Sequence, residues 1–132
     1  MAKVLGVGGI FFKSPDPEKL YGWYHRWLGT SADFQYGLWF MPQTIPPGGL
    51  TVFSAFKDTT TYFAPSAKAF MFNLMVDNLE EALAQVKEGG AEIVGEIQRF
   101  DYGNFGWFID PDGNKVELWQ PKADAGLGTA PS

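Results

Sequence analysis

The chain has 132 residues, 45% of them hydrophobic, which is enough to bury the core of one compact unit. A formal net charge of −5 with no basic run excludes an electrostatic platform for nucleic acid, and the lack of cysteine excludes disulfides and thiol chemistry. No apolar run reaches membrane-spanning length and residues 1–6 carry no signal pattern, so a cytoplasmic protein is expected, with no membrane partner. Aromatic residues make up 17% of the chain, beyond what a small core needs, which assigns some rings to a cavity or an interface.

Taken from the N-terminus, residues 10–14 read as a short strand. A helix follows, opened by Asp16 as cap, Pro17 at the first helical position and Glu18 at the positive end of the dipole, and closed near Gly29. Leu20, Trp23, Tyr24, Trp27 and Leu28 give this helix one apolar face. His25, the single histidine of the chain, lies off that face without co-ligands and reads as a surface residue. Residues 34–41 and 50–56 are strand-like, and the Pro- and Gly-rich stretch 42–49 between them is an exposed loop. Residues 57–68, with Pro65, connect two halves.

The same grammar then returns, as a weak internal repeat. Residues 72–76 form a strand, Asp77 or Asn78 caps, Glu80 sits in the first turn, and Leu79, Ala82, Leu83 and Val86 make the apolar stripe. Gly89 and Gly90 stop the helix. Strands are expected over 92–99, 105–109 and 115–119, followed by a fraying tail over 122–132. Between the last two strands, Pro111 presets φ and Gly113 tolerates a positive φ, so Asp110 to Asn114 should reverse the chain into a hairpin. Beyond that turn Glu117 and Trp119 alternate with Val116 and Leu118. If the aliphatic pair faces a hydrophobic layer, Glu117 emerges on the other side of the sheet, a lone carboxylate that needs solvent or a partner.

This order of motifs, from Pro15 and Asp16, through Trp23 and Tyr24 to Leu28 and Gly29, then to Asp110, Pro111, Asp112, Gly113, Asn114 and Glu117, resembles the vicinal oxygen chelate superfamily. That group takes in glyoxalase I, extradiol dioxygenases and the bleomycin and fosfomycin resistance proteins. The resemblance runs over residues 4–121. It implies an α+β fold of two tandem βαβββ modules, about 4–57 and 69–121, whose sheets form a cup of about eight strands. It also implies a single domain over 1–121, with 122–132 as a flexible tail, and a homodimer, since dimers are common in the family.

In the metal-using members, ligands come from the first strand of each module and from the last strand. Carried onto this chain, those positions fall on Gly9, Met71 and Glu117. Glycine offers no donor and a thioether is soft and neutral, so the family metal site is expected to be lost and no cofactor is expected. A fourth position, near residues 50–54, does not align, and no carboxylate, histidine or cysteine occurs there.

Alternation from those positions places Phe11 and Lys13 on one inward face, Met71, Asn73 and Met75 on another, and Glu117 with Trp119 on the last strand. These residues, with Tyr102 at the rim in the manner of relatives whose loops approach a ligand, form the expected small-molecule pocket. The alternative is that the same aromatics and methionines merely fill the cup, and that Asp101, Gly103 and Asn104 only make a turn. Glu117 is the candidate catalytic or anchoring group, with Lys13 or a ligand as its counter-charge and Lys115 turned to the opposite face. Two functional classes follow. One is a metal-independent binder that sequesters a small aromatic or cationic compound, such as an antibiotic. The other is an enzyme, a lyase, isomerase or dioxygenase acting on a small metabolite, either metal-dependent or using Glu117 as acid and base. A third possibility is a degenerate module used in dimerisation.

Overall fold

Two helices lie on one face of a four-stranded sheet in the computed structural model, which describes residues 1–33 and 37–123. The first helix, α1, spans Pro17–Leu28. Asp16 caps it by accepting from the Lys19 backbone N–H at 3.2 Å, and Gly29 ends it with φ at 65°, a left-handed conformation that costs glycine little. Leu20 and Tyr24 are buried along its apolar face, with Trp23 and Leu28 packed beside them.

Residues 72–121 form a complete βαβββ unit. Strand β1 is Phe72–Met75, helix α2 is Leu79–Glu88, and strands β2, β3 and β4 are Glu92–Phe100, Gly103–Ile109 and Lys115–Pro121. Of the two expected caps for α2, Asn78 is the one used: its side chain accepts from Glu81 N–H at 3.0 Å. The sheet order is β1-β4-β3-β2, with β1 parallel to β4 and the others antiparallel, so β1 is an edge. Alternation sorts the side chains. Phe72, Leu74, Phe108, Val116 and Leu118 turn toward the helices and pack with Leu79, Ala82 and Val86. Gly106 lets α2 approach closely, since a Cβ there would stand 2.7 Å from Leu83 Cδ1.

The helices meet each other through polar clamps as well as rings. Trp23 Nε1 donates to the Gly89 carbonyl at 2.9 Å, and Gln85 Nε2 donates to the Trp27 carbonyl at 2.7 Å. The expected reversal between β3 and β4 is present and buried. Asp110 Oδ1 accepts from the backbone N–H groups of Asp112 and Asn114, and Oδ2 accepts from Asn114 Nδ2 and from the Tyr24 hydroxyl. The hairpin turn is thereby tied to α1.

The first half departs from the expected tandem arrangement. Residues 10–14 and 50–56 belong to no sheet, and residues 37–41 contribute only an isolated bridge between Asp33 and Gly37. The described sheet therefore has four strands, all from the second unit, where a cup of about eight was expected. The physical reason is non-local. An apolar alternating segment becomes a strand only where a neighbour takes its backbone hydrogen bonds and side chains, and here residues 51–58 stay exposed. Residues 34–36 of the expected strand, and the expected tail from 124 onward, lie outside the described residues. Among the described residues no helix is long and apolar enough to cross a membrane.

Candidate functional site

Glu117 stands in the middle of the sheet face that the helices leave open. Its cross-strand partners are Asn73 on β1 and Trp107 on β3, so register alone puts both side chains beside it on the same face. Asn73 Nδ2 donates to Oε1 at 2.7 Å, and Trp107 Nε1 donates to Oε2 at 2.9 Å. A third donor comes from outside the sheet: the Tyr62 hydroxyl reaches Oε2 at 2.5 Å. Burial and the neighbouring carboxylate together push the Tyr62 phenol well above its ordinary range, so it stays protonated and remains a donor.

Tyr62 is held in place by its neighbours. Its ring stacks on Phe56 at 5.7 Å and meets Trp107 edge-on at 6.4 Å. Lys115 Nζ donates to the Tyr62 carbonyl at 2.6 Å and lies 4.9 Å from the centre of the Tyr62 ring. Lys115 therefore shares the Glu117 side of the sheet, contrary to the expectation that it turns away. The two residues are separated by one position, and a strand repeats every second residue. Burial lowers the Lys115 ammonium below its usual value, and the Glu117 charge opposes that shift. The ion pair described in this structure is Arg99 with Glu80 at 2.7 Å; among the described residues Glu117 has no cation within the 4.0 Å that defines one.

An aromatic shelf continues the face toward β2. Trp119 stacks on Phe105 at 6.0 Å with its indole N–H on the Tyr102 carbonyl at 3.1 Å, and Tyr102 stacks on Phe100 at 5.2 Å. Gly103 makes this possible. Its φ is 144°, and a Cβ there would collide with the Trp119 indole and stand 2.6 Å from the Gln120 carbonyl.

The residues expected at the site fall into separate groups. Asn73 and Glu117 are joined directly, and Trp119 is joined to Tyr102. Phe11, Lys13 and Met71 do not reach Glu117 but line a different cavity, of about 490 Å³, together with Phe70 and Phe72. Met75 borders a third space, of about 340 Å³, near Thr30 and Met41. Phe11 and Lys13 are placed away from Glu117 because residues 10–14 join no sheet, so nothing brings their inward face over it. Trp107 and Tyr62 were missed by sequence reasoning. Trp107 was reachable, as the opposite number of Glu117 across the hairpin; Tyr62 sits 55 residues from Glu117 in a connecting segment and carries no local signal.

A hard divalent ion finds few donors around Glu117. At the positions matching the family's ligands, the Phe11 ring covers Gly9, 3.1 Å from where a Cβ would be, and Met71 supplies a thioether. Glu117 is the one carboxylate at these positions, and the three groups touching it are N–H or O–H donors that add no ligand atom for a metal. Among the described residues no three His, Asp or Glu side chains converge. His25 is exposed at the end of α1, with Nδ1 2.6 Å from the Thr30 carbonyl oxygen.

An integron cassette protein from the mobile metagenome of V. cholerae is 20% identical over 89% of this chain and 98% of its own, with a TM-score of 0.51. TnmS3, an antibiotic-binding protein from Streptomyces sp. CB03234, is 22% identical over 83% of this chain and 89% of its own, with a TM-score of 0.46. A member of the glyoxalase/bleomycin resistance protein/dioxygenase superfamily from Sphaerobacter thermophilus DSM 20745 is 26% identical over 37% of this chain, with a TM-score of 0.34, and the match spans 40% of that chain's length. No curated protein matches the sequence. Residues 9–119, most of the chain, match the model of the glyoxalase-like domain. The chain belongs to the glyoxalase-like domain family, within the vicinal oxygen chelate superfamily.

Proposed function

We propose that this protein binds a small aromatic or cationic compound, without a metal, on the sheet face centred on Glu117, and acts as a cytoplasmic homodimer. The observation that carries the reading is the state of that carboxylate. All three of its hydrogen bonds come from neutral donors, its charge is left without an ion pair among the described residues, and the rings of Trp107, Tyr62, Phe105 and Trp119 surround it on the same face. A negative group set among π-faces is the chemistry that recognises a cationic or planar aromatic ligand. Tyr62 and Trp107 orient the carboxylate, and the exposed, mutually stacked rings of Phe100 and Tyr102 offer a stacking surface on the aromatic shelf.

Calorimetric titration with planar aromatic cations and their neutral isosteres tests this. The cations are expected to bind more tightly, and Glu117→Gln to erase the difference. Equal affinity for both, unaltered by the substitution, would overturn the reading. Incubating a bound compound with excess protein and analysing it by mass spectrometry separates binding from turnover. A product would favour instead acid–base chemistry at Glu117, where Tyr62, at 2.5 Å, stands as the neighbouring proton donor.

A further inference from the structure

The two cavities that Glu117 does not line differ in charge. The smaller has no ionisable side chain in its wall, whereas the larger has two, Lys13 and Lys68, both cationic. The larger cavity, of about 490 Å³, falls within the roughly 300–1,000 Å³ of small-molecule sites and lies between residues 10–13 and the start of β1. Three rings make its apolar wall. Phe12 lies 4.7 Å from Phe72 and 6.3 Å from Phe70, and Phe70 lies 5.1 Å from Phe72. Lys68 is held by neutral groups: its ammonium donates to Asn114 Oδ1 at 2.6 Å and to the Asp112 carbonyl at 3.1 Å, and it stands 5.8 Å from the centre of the Phe70 ring. An ammonium has three donors, so one N–H of Lys68 is left over. Lys13 makes no hydrogen bond or ion pair among the described residues, and no carboxylate described lies within 4.0 Å of either ammonium. The sequence accounts for this. Of 15 acidic residues none falls in 1–14 or 59–76, the stretches that line the cavity, although the chain as a whole is acidic.

We propose that this cavity is a second binding site, for a small aromatic carboxylate, whose ring packs on Phe12, Phe70 and Phe72 and whose carboxylate is held by Lys13 and Lys68. Two ammonium groups without a counter-ion supply charge-assisted hydrogen bonds to a carboxylate. The rings select its body: a hydrated inorganic anion would leave them in water, while an aromatic ligand covers them. The ligand is opposite in charge to the one proposed for Glu117, and none of the residues that hold it touches that carboxylate. The site therefore stands independently of the reading above.

Calorimetric titration of the full chain with 1-naphthoate, its neutral amide and octanoate tests this. The naphthoate is expected to bind about tenfold or more tightly than the amide, more tightly than octanoate, and more weakly as sodium chloride is added. Lys13→Glu is expected to abolish the preference for the acid at an unchanged melting temperature, because Lys13 is exposed and holds no partner. Methionine methyl resonances locate the ligand without any variant: Met71 lines this cavity, whereas Met41 and Met75 line the smaller one. The naphthoate ring current is expected to move the Met71 methyl and to leave those of Met41 and Met75 in place. Absence of binding, equal affinity for acid and amide, or an unaltered preference in Lys13→Glu would refute the site. Octanoate binding as tightly as naphthoate would refute its aromatic selectivity. Binding lost in Glu117→Gln, or a shift at Met75 and not at Met71, would put the compound elsewhere and remove the proposal.

Discussion

Tyr24 donates its hydroxyl to Asp110 Oδ2 at 2.9 Å, and this bond fastens α1 to the turn that sets the β3–β4 hairpin. Both residues are buried, so the phenol has little water to fall back on. Tyr24→Phe is expected to cost about 2 kcal/mol, the range for a buried hydrogen bond to a charged group, seen as a lower urea midpoint with an unchanged slope. Asp110→Ala should cost more, because it also strips the backbone N–H groups of Asp112 and Asn114 of their acceptor. A Tyr24→Phe midpoint equal to that of the parent protein would show that the bond adds nothing net.

Alkaline pH should reveal the same phenol and that of Tyr62. Burial, first, and then the neighbouring carboxylates raise both above their ordinary value. A folded-state value above the unfolded one contributes stability that is complete below about pH 10 and is lost as pH rises through the folded values. Of the five tyrosines, Tyr24 and Tyr62 are therefore expected to ionise late and together with unfolding, followed by phenolate absorbance. All five titrating together near the ordinary value, in a folded protein, would contradict this.

Glu117→Gln keeps an acceptor either for Tyr62 and Trp107, which share Oε2, or for Asn73 on Oε1, but turns an amide N–H toward the donor on the other side and removes the charge. Stability is expected to fall by only about 1 kcal/mol, because Glu117 itself is partly exposed, while affinity for an aromatic cation falls by about tenfold or more. Should the melting temperature drop while the compound binds as before, the carboxylate is a structural anchor for Tyr62 and Asn73.

Gly103→Ala places a methyl group against the Trp119 indole and the Gln120 carbonyl at a φ that disfavours any side chain. A loss of about 2 kcal/mol or more is expected from overpacking and backbone strain together, with a changed tryptophan emission as the Trp119 and Phe105 stack is displaced. Unchanged emission would mean the strand shifts and the shelf survives.

Expression in metal-supplemented medium should yield protein without a stoichiometric divalent ion. Gly9 lacks a donor and Met71 is a soft one, so Glu117 alone cannot hold a hard cation. One Zn, Ni, Mn or Fe per chain by elemental analysis would contradict this expectation.

The helix of the first half and much of the second unit are legible from local residues. Asp16, Pro17 and Gly29 bound α1, Asn78 and Gly89 bound α2, and the turn at Asp110 to Asn114 forms as its proline and glycine require. Capping and turn preferences act within a few residues, so they survive in whatever context the chain finds itself. The period of two also sends Glu117 away from Val116 and Leu118, and the same rule, applied consistently, assigns Lys115 to the Glu117 face.

What the sequence by itself determined is thus the set of helices, the hairpin and the direction in which each side chain leaves its strand. Only the tertiary structure decided which extended segments found neighbours, leaving residues 10–14 and 50–56 open, and which distant ring, that of Tyr62, came to rest on Glu117. The reason is that strand pairing and loop placement join residues far apart in the chain. Their free energy comes from partners that no local pattern names.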